Sequence, residues 1–326
     1  MAQHGYWHLR DRLQQTGELS DYEIVTSRLL YYPERGVEVP SPVARWCAEQ
    51  QANAALRSPD WDAFSDPRQT TYSSYVAAAQ AREAVLDELL ERCERGDAGL
   101  SAEWIRTLDA VLPVLRFPVH GLQMVSAYIG SLAPSGRLTV TAAFQAADEM
   151  RLLQRLAYRT RQLQYRAAAF GEHSVQTWQT AAAWQPLRRA VEQLLINYDW
   201  TNALLVSSLR IKPLLVELFL VQFGQLAETA GDELLKKILL HLAEDQRWHD
   251  AWAAAVLAPV LETPENRQKA LEILASHEDS VASILEATLR LFTEQKPADV
   301  AFDGDVAKHA VQAALLQRER SIGLAR

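Results

Sequence analysis

Residues 138–168 read LTVTAAFQAADEMRLLQRLAYRTRQLQYRAA, with Pro134-Ser135-Gly136 before them and Phe170-Gly171 after. The run holds no glycine or proline and is rich in alanine, leucine, glutamine and arginine, residues that favour helix. A helix over 138–168 is therefore predicted, and similar punctuation divides the chain on either side. Asp66-Pro67 reads as a helix start, a capping side chain ahead of a proline whose missing N–H costs nothing there. That helix would pass through Tyr72, Tyr75, Leu86 and Leu90 and stop near Gly96. Further helices are predicted over 101–130, 186–228, 231–260, 264–294 and 304–320, with Thr263-Pro264 opening the second last. No segment alternates apolar and polar residues as a strand would, and no short-period repeat points to a solenoid. The fold class is all-α, a bundle of long helices with several apolar faces.

The 326 residues carry 33 Lys and Arg against 41 Asp and Glu, a formal net charge of −8. No basic stripe stands out, which argues against a general nucleic-acid binder. Two cysteines, Cys47 and Cys93, make neither a disulfide framework nor a CxxC pair. The chain opens without an apolar signal region, and its longest apolar stretches are broken by Arg210, Lys212, Glu217 and Gln222. A membrane span is therefore not expected, and the reading is a reduced, soluble, cytoplasmic protein. Residues 1–65 differ from the rest: prolines at 33, 40, 42 and 59 interrupt aromatics that show little periodicity. An extended, aromatic-rich arm is expected over 1–65, ahead of a helical domain over 66–326. Its aromatic side chains must cover the bundle's own open face or dock on a partner. The docking reading makes Tyr22, Tyr31, Tyr32, Trp46 and Trp61 candidates for a subunit interface.

Bundles of this kind can hold a di-iron centre, with a Glu from each of two helices and a Glu-x-x-His motif from each of two others. Positions i and i+3 face the same way, so one helix can present both a carboxylate and an imidazole to the metal. Two stretches approach the motif and both break it. In Asp148-Glu149-Met150-Arg151-Leu152, the histidine slot after Glu149 is Leu152, which has no donor atom. In Glu244-Asp245-Gln246-Arg247-Trp248, aligned on the arginine, Asp245 takes the carboxylate slot and Trp248 the histidine slot. An indole offers only an N–H donor. The two stretches lie 96 residues apart, and both histidine ligands are missing.

The doubled D-E-x-R-H pattern belongs to the catalytic subunit of bacterial multicomponent di-iron monooxygenases. This chain resembles the other large subunit of that hydroxylase, the β chain, most closely in the toluene/arene and alkene branch. The resemblance rests on Asp21-Tyr22-Glu23-Ile24-Val25-Thr26-Ser27-Arg28-Leu29 with Tyr31-Tyr32, and on Asp60-Trp61-Asp62-Ala63-Phe64-Ser65-Asp66-Pro67. It continues through Leu122-Gln123-Met124-Val125-Ser126-Ala127-Tyr128, Ala157-Tyr158-Arg159-Thr160, Tyr198-Asp199-Trp200 and Lys212-Pro213. It implies a ferritin-like bundle that binds no cofactor itself and buttresses a di-iron α subunit, with a γ subunit, in an (αβγ)₂ assembly. It also implies an effector protein, and reductase and ferredoxin partners that carry electrons from NADH through FAD and a 2Fe-2S cluster. In the α chain further glutamates lie about thirty residues before each motif. The corresponding neighbourhoods here, Pro118-Val119-His120 and Arg210-Ile211-Lys212, hold no carboxylate.

The remaining polar groups invite structural readings. Glu149 is expected on a charged helix face or in a partly buried pair with an arginine. Glu217, inside Leu214-Leu215-Val216-Glu217-Leu218-Phe219-Leu220, needs a partner if buried, and an arginine from a neighbouring helix is expected. His241, Asp245 and His249 form the one metal-capable stripe, at i, i+4 and i+8, and a solvated or inter-subunit face is the favoured reading of it. Two alternatives to the β-subunit reading stay open: a stand-alone enzyme with a site rearranged onto Glu149, Glu217, Asp245 and His249, and a helical adaptor.

Overall fold

The structure is a computed structural model and describes residues 18–28 and 41–324. Its helices are α1 (Asp21–Arg28), α2 (Pro42–Ala52), α3 (Tyr72–Gly96), α4 (Ala102–Leu132), α5 (Gly136–Arg166), α6 (Ser174–Thr180) and α7 (Gln185–Leu195). A long helical run follows, α8 (200–229), in which α-helical turns Trp200–Val206, Lys212–Val216 and Phe223–Thr229 alternate with π-helical segments Ser207–Ile211 and Glu217–Gln222. The chain ends with α9 (Glu233–Ala243), α10 (Asp245–Val260), α11 (Pro264–Ala275), α12 (Glu278–Gln295) and α13 (Gly304–Ser321). Short polar side chains start many of these helices by taking up amide protons that have no intrahelical partner. Ser101 accepts from Trp104 N, Asp232 from Leu235 N, and Asp303 from Asp305 N and Val306 N.

Helices α4 and α5 form an antiparallel pair at the centre, and α4 also packs on α7 and on the start of α8. Helix α9 lies between α3 and α8, while α12 and α13 close the far side. Burial supplies the driving force. Trp104, Trp184, Trp200, Trp252, Phe219, Phe223 and Phe292 are all fully enclosed. Trp184 stacks on Phe219 with ring centroids 5.2 Å apart, and Phe219 meets Phe292 edge-on at 5.7 Å, so one aromatic column joins the entry to α7, α8 and α12.

At three places where helix ends depart from expectation, a polar side chain is the cause. The helix expected from Asp66-Pro67 starts at Tyr72 instead. Asp66 folds its carboxylate back onto Arg68 N and Thr70 N, at 3.0 and 2.9 Å, and Gln69 sits at φ 47. That local turn competes with helix, and the capping box of Thr71 and Ser74 then opens α3. The run expected over 186–228 breaks before Asp199, whose carboxylate caps α8 and also accepts Ala55 N at 2.7 Å. The run over 264–294 breaks where Ser276 donates its hydroxyl to Ile273 O at 2.7 Å, beside His277. The run over 231–260 turns at Glu244, and α6 escaped the reading altogether.

Two stretches of the expected arm are helical and not extended, α1 and α2, the latter capped by Ser41 ahead of Pro42. Beyond α2 the chain is stitched into the body. Leu56 N donates to Thr201 Oγ1 at 3.1 Å, Arg57 N to Asn266 Oδ1 at 3.0 Å, and the Leu56 side chain is 1% exposed.

Two glycines offer a test of the packing. A Cβ on Gly121, in α4, would fall 2.2 Å from Val191 Cγ1 on α7, and a β-branched neighbour has no free rotamer to yield. One on Gly224 would find only ordinary contacts at 3.8 Å and beyond. Denaturant unfolding should therefore show Gly121→Ala losing about 1–3 kcal/mol through overpacking. Gly224→Ala should gain roughly 0.5–1 kcal/mol from reduced backbone entropy in the unfolded chain.

Candidate functional site

The polar centre of the bundle is built where α3, α5, α8 and α10 meet. Helix α8 widens there for a reason in its sequence. Pro213 has no amide hydrogen and its ring crowds the carbonyl one turn back, so the backbone opens into the π segment Ser207–Ile211 just ahead of it. Lys212 follows that segment, 6% exposed, among the buried residues Leu209, Ile211, Leu214 and Leu215.

The Lys212 ammonium bridges two helices. Its Nζ lies 2.5 Å from Glu149 Oε1 on α5 and 2.8 Å from His249 Nδ1 on α10. An ammonium only donates, so Nδ1 is an acceptor and the imidazole is the neutral tautomer with its proton on Nε2. That Nε2–H donates to Asp148 Oδ2 at 3.1 Å, while Tyr75 OH donates to Asp148 Oδ1 at 2.9 Å. Gln145 Nε2 donates to Glu149 Oε1 at 3.2 Å and to Ser126 Oγ at 2.9 Å, and its own oxygen accepts the Trp252 indole at 2.8 Å. Glu149 Oε2 is buried with no hydrogen-bond partner.

A second layer surrounds this chain. Asp245 is gripped by both Arg82 and Arg151, and Arg151 Nη1 reaches Glu83 Oε1 at 2.8 Å. At the core, three acidic side chains (Asp148, Glu149, Asp245) face three basic ones (Arg82, Arg151, Lys212). Burial pushes the Glu149 carboxyl up, against the pull of the Lys212 ammonium. Burial, and then that same ammonium at Nδ1, push His249 down to about 3. Asp148 goes the other way: burial would raise it, but the hydrogen bonds from His249 and Tyr75 and the Arg151 charge hold it below the usual carboxylate range.

The structure places the sequence candidates unevenly. Glu149 is not on a charged face and has no arginine; it is buried and its cation is Lys212. Asp245 and His249 point inward, at 5% and 4% exposure, so the stripe is not solvated, and His241 turns aside to Arg82 O at 3.1 Å. Glu217 pairs with Gln222 Nε2 at 2.9 Å, across the second π segment, in place of the expected arginine. Trp248 sends its indole N–H away from the centre to Asp66 Oδ1 at 2.9 Å, and Leu152 packs against the apolar core. Of the aromatic candidates, Tyr22 is 2% exposed, with its hydroxyl accepting from Asp66 N, and Trp61 packs edge-on against Trp200. Trp46 stays 36% exposed and meets Tyr198 at 5.7 Å; Tyr31 and Tyr32 lie outside the described residues. Sequence reasoning passed over Lys212, Asp148, Tyr75 and Arg82. The signal for Lys212 was available, because a lone ammonium in an apolar run needs a counter-charge as much as Glu217 does.

Residues 44–264 match the family model described as methane/phenol/alkene hydroxylase. The chain belongs to that family. It is 32% identical to the hydroxylase component β subunit of the toluene-4-monooxygenase system of Ectopseudomonas mendocina, over 76% of this chain and 78% of that one. It is 27% identical to an oxygenase component of phenol 2-monooxygenase from a Pseudomonas species, over 93% of this chain and 87% of its relative. Among solved structures, a chain of toluene 4-monooxygenase with toluene bound in its resting active site superposes with a TM-score of 0.81 at 28% identity, covering 90% of this chain and 98% of that one.

The residues present do not fit a di-iron centre. Among the described residues of this hydroxylase-family chain, no three His, Cys, Asp or Glu side chains converge on one point. The place between Glu149 and His249 is filled by an ammonium, and the two histidine slots hold an aliphatic side chain and an indole engaged elsewhere.

Removing one partner of a buried ion pair leaves the other charge stranded. Lys212→Met should cost about 3–5 kcal/mol in denaturant unfolding, and adding Glu149→Gln should restore more than half of it. His249 generates a pH prediction. Its folded value, about 3, lies below the unfolded 6.5, so the unfolded chain binds the extra proton. The stabilisation is complete above 6.5 and is lost as pH falls from there toward 3. His249→Gln should flatten the fall in stability between pH 6 and pH 4 by up to about 1.4 kcal/mol per pH unit.

Proposed function

We propose that this chain is the non-catalytic β subunit of a multicomponent hydroxylase. The system would carry out NADH- and O₂-dependent hydroxylation or epoxidation of aromatic or alkene hydrocarbons. The observation that carries the reading is the ammonium at the bundle centre: a chain of this family holds Lys212 between Glu149 and His249, with Leu152 and Trp248 in the histidine slots. The similarity to a toluene-4-monooxygenase β subunit supports it. In this reading the di-iron centre belongs to an α subunit, a γ subunit completes an (αβγ)₂ assembly, and the whole acts in the cytoplasm. Reductase and ferredoxin partners supply electrons through FAD and 2Fe-2S, and an effector protein gates the reaction.

The chain's part is mechanical. Its core is neutralised internally, so its shape does not depend on loading a metal, and a rigid neighbour keeps the partner's metal-bearing helices in register. The aromatic pair Trp46 and Tyr198, exposed beside Ile196 and Val43, is the contact we assign to the partner. Among the described residues, no helix is long and apolar enough to cross a membrane.

Co-expression with an α chain bearing two intact Glu-x-x-His motifs provides the test. Glu149→Gln should leave iron per complex and hydroxylation rate unchanged in an assembled complex; iron loss there would overturn the reading. Trp46→Ala with Tyr198→Ala should weaken assembly by about 2 kcal/mol, roughly thirtyfold in Kd. The isolated variant should keep its circular dichroism.

A further inference from the structure

His249 is prepared in the way that metal-binding histidines are. Its Nε2–H is held by Asp148 at 3.1 Å, and Asp148 is held in turn by Tyr75 at 2.9 Å. A carboxylate in that position fixes the ring, selects the tautomer and raises the basicity of the opposite nitrogen. Nδ1 therefore turns a lone pair inward with nothing but a cation to receive it. Across from it stands Glu149, 4% exposed, with one oxygen on the same cation and the other, Oε2, without a hydrogen-bond partner. Two donor atoms from different helices thus converge on the Lys212 Nζ, at 2.5 and 2.8 Å. A cavity of about 110 Å³ lined in part by Arg68, Tyr75, Arg82, Asp148 and Trp248 reaches Asp148, the carboxylate that holds His249.

We propose that the Lys212 ammonium occupies a metal-ion position, and that Glu149 and His249 form a latent divalent-cation site that the lysine keeps closed. The ligand class follows from the donors. Imidazole nitrogen with carboxylate oxygen suits Zn²⁺ and Co²⁺, and Glu149 Oε2 and water can fill the remaining positions. Every group involved belongs to this chain, so the inference stands apart from the subunit reading.

The test uses the untagged full chain and Co²⁺ alone, read by visible d–d absorption and by cobalt per chain after desalting. Wild type should retain none, whereas Lys212→Ala should retain one. In that background Asp148→Asn should weaken Co²⁺ binding by about 10–100-fold, the usual effect of removing a carboxylate that orients a ligating histidine, and His249→Ala should abolish it. A folded Lys212→Ala chain that takes up no cobalt, or takes it up equally with His249→Ala, overturns the proposal. If Lys212→Ala is unfolded without metal, refolding with Co²⁺ should restore the native helical spectrum and one cobalt per chain. Remaining unfolded would overturn it equally. Neither failure touches the subunit reading, which rests on the natural chain holding Lys212 between Glu149 and His249, on Leu152 and Trp248, and on the family match.

Discussion

The contact between the Lys212 ammonium, Glu149 and His249 is the constraint on which the rest of this bundle depends. A single buried charge costs several kcal/mol unless it is met by an opposite charge with satisfied hydrogen bonds. Lys212 on α8 has only one geometry that meets the condition, with Glu149 on α5 and the Nδ1 of His249 on α10 both within hydrogen-bond distance. Sliding any of the three helices by one turn, about 5.4 Å, would strand an ion in an apolar interior. Apolar packing tolerates many near-equivalent arrangements; this triad tolerates one, and so sets the register of the helices that carry it.

The outer ion pairs extend the same logic toward the surface. Asp245 on α10 is shared by Arg82 of α3 and Arg151 of α5, while Arg159 makes a two-pronged pair with Asp97 at 2.6 Å for both contacts. Helix α3 has few buried apolar residues of its own, Leu86, Leu90 and Cys93. It is therefore held to the body as much by Arg82, Glu83 and Tyr75 as by burial. The first π segment of α8 serves the same end: by widening the helix ahead of Pro213 it lets Lys212 follow a stretch that already buries Ser207, Ser208 and Arg210, the last paired outward to Glu319 at 2.7 Å.

Helix content was legible because it depends on local composition. The stretch over 138–168 contains no breaker, and the structure gives Gly136–Arg166. What local composition could not show was competition by side chains whose partners lie far along the chain. Asp66 looked like a helix cap but binds Trp248, 182 residues away, as well as its own turn. Asp199 ends one run and starts another while holding Ala55. The site shows the same division. That Leu152 and Trp248 offer no metal-binding donor could be read directly, since a missing atom type needs no geometry. The inward turn of His249 could not, because i, i+4, i+8 spacing states that three side chains share a face and not which way it looks.

The lack of metal donors at Leu152 and Trp248 and the presence of Lys212 belong to one electrostatic argument. Carboxylates gathered inside a helical bundle repel one another and resist desolvation unless positive charge lies among them. Leu152 and Trp248 bring no metal-binding donor here, so Glu149, Asp148 and Asp245 must find their positive charge in side chains. Arg82 and Arg151 reach Asp245 and Asp148, but the contacts of Glu149 include a single cation, the one delivered from α8. A tethered ammonium has an advantage over an ion, because it arrives with the chain, at one equivalent, without chelation or oxidation to remove it. The bundle is thus complete as soon as it folds, with its central positive charge already in place.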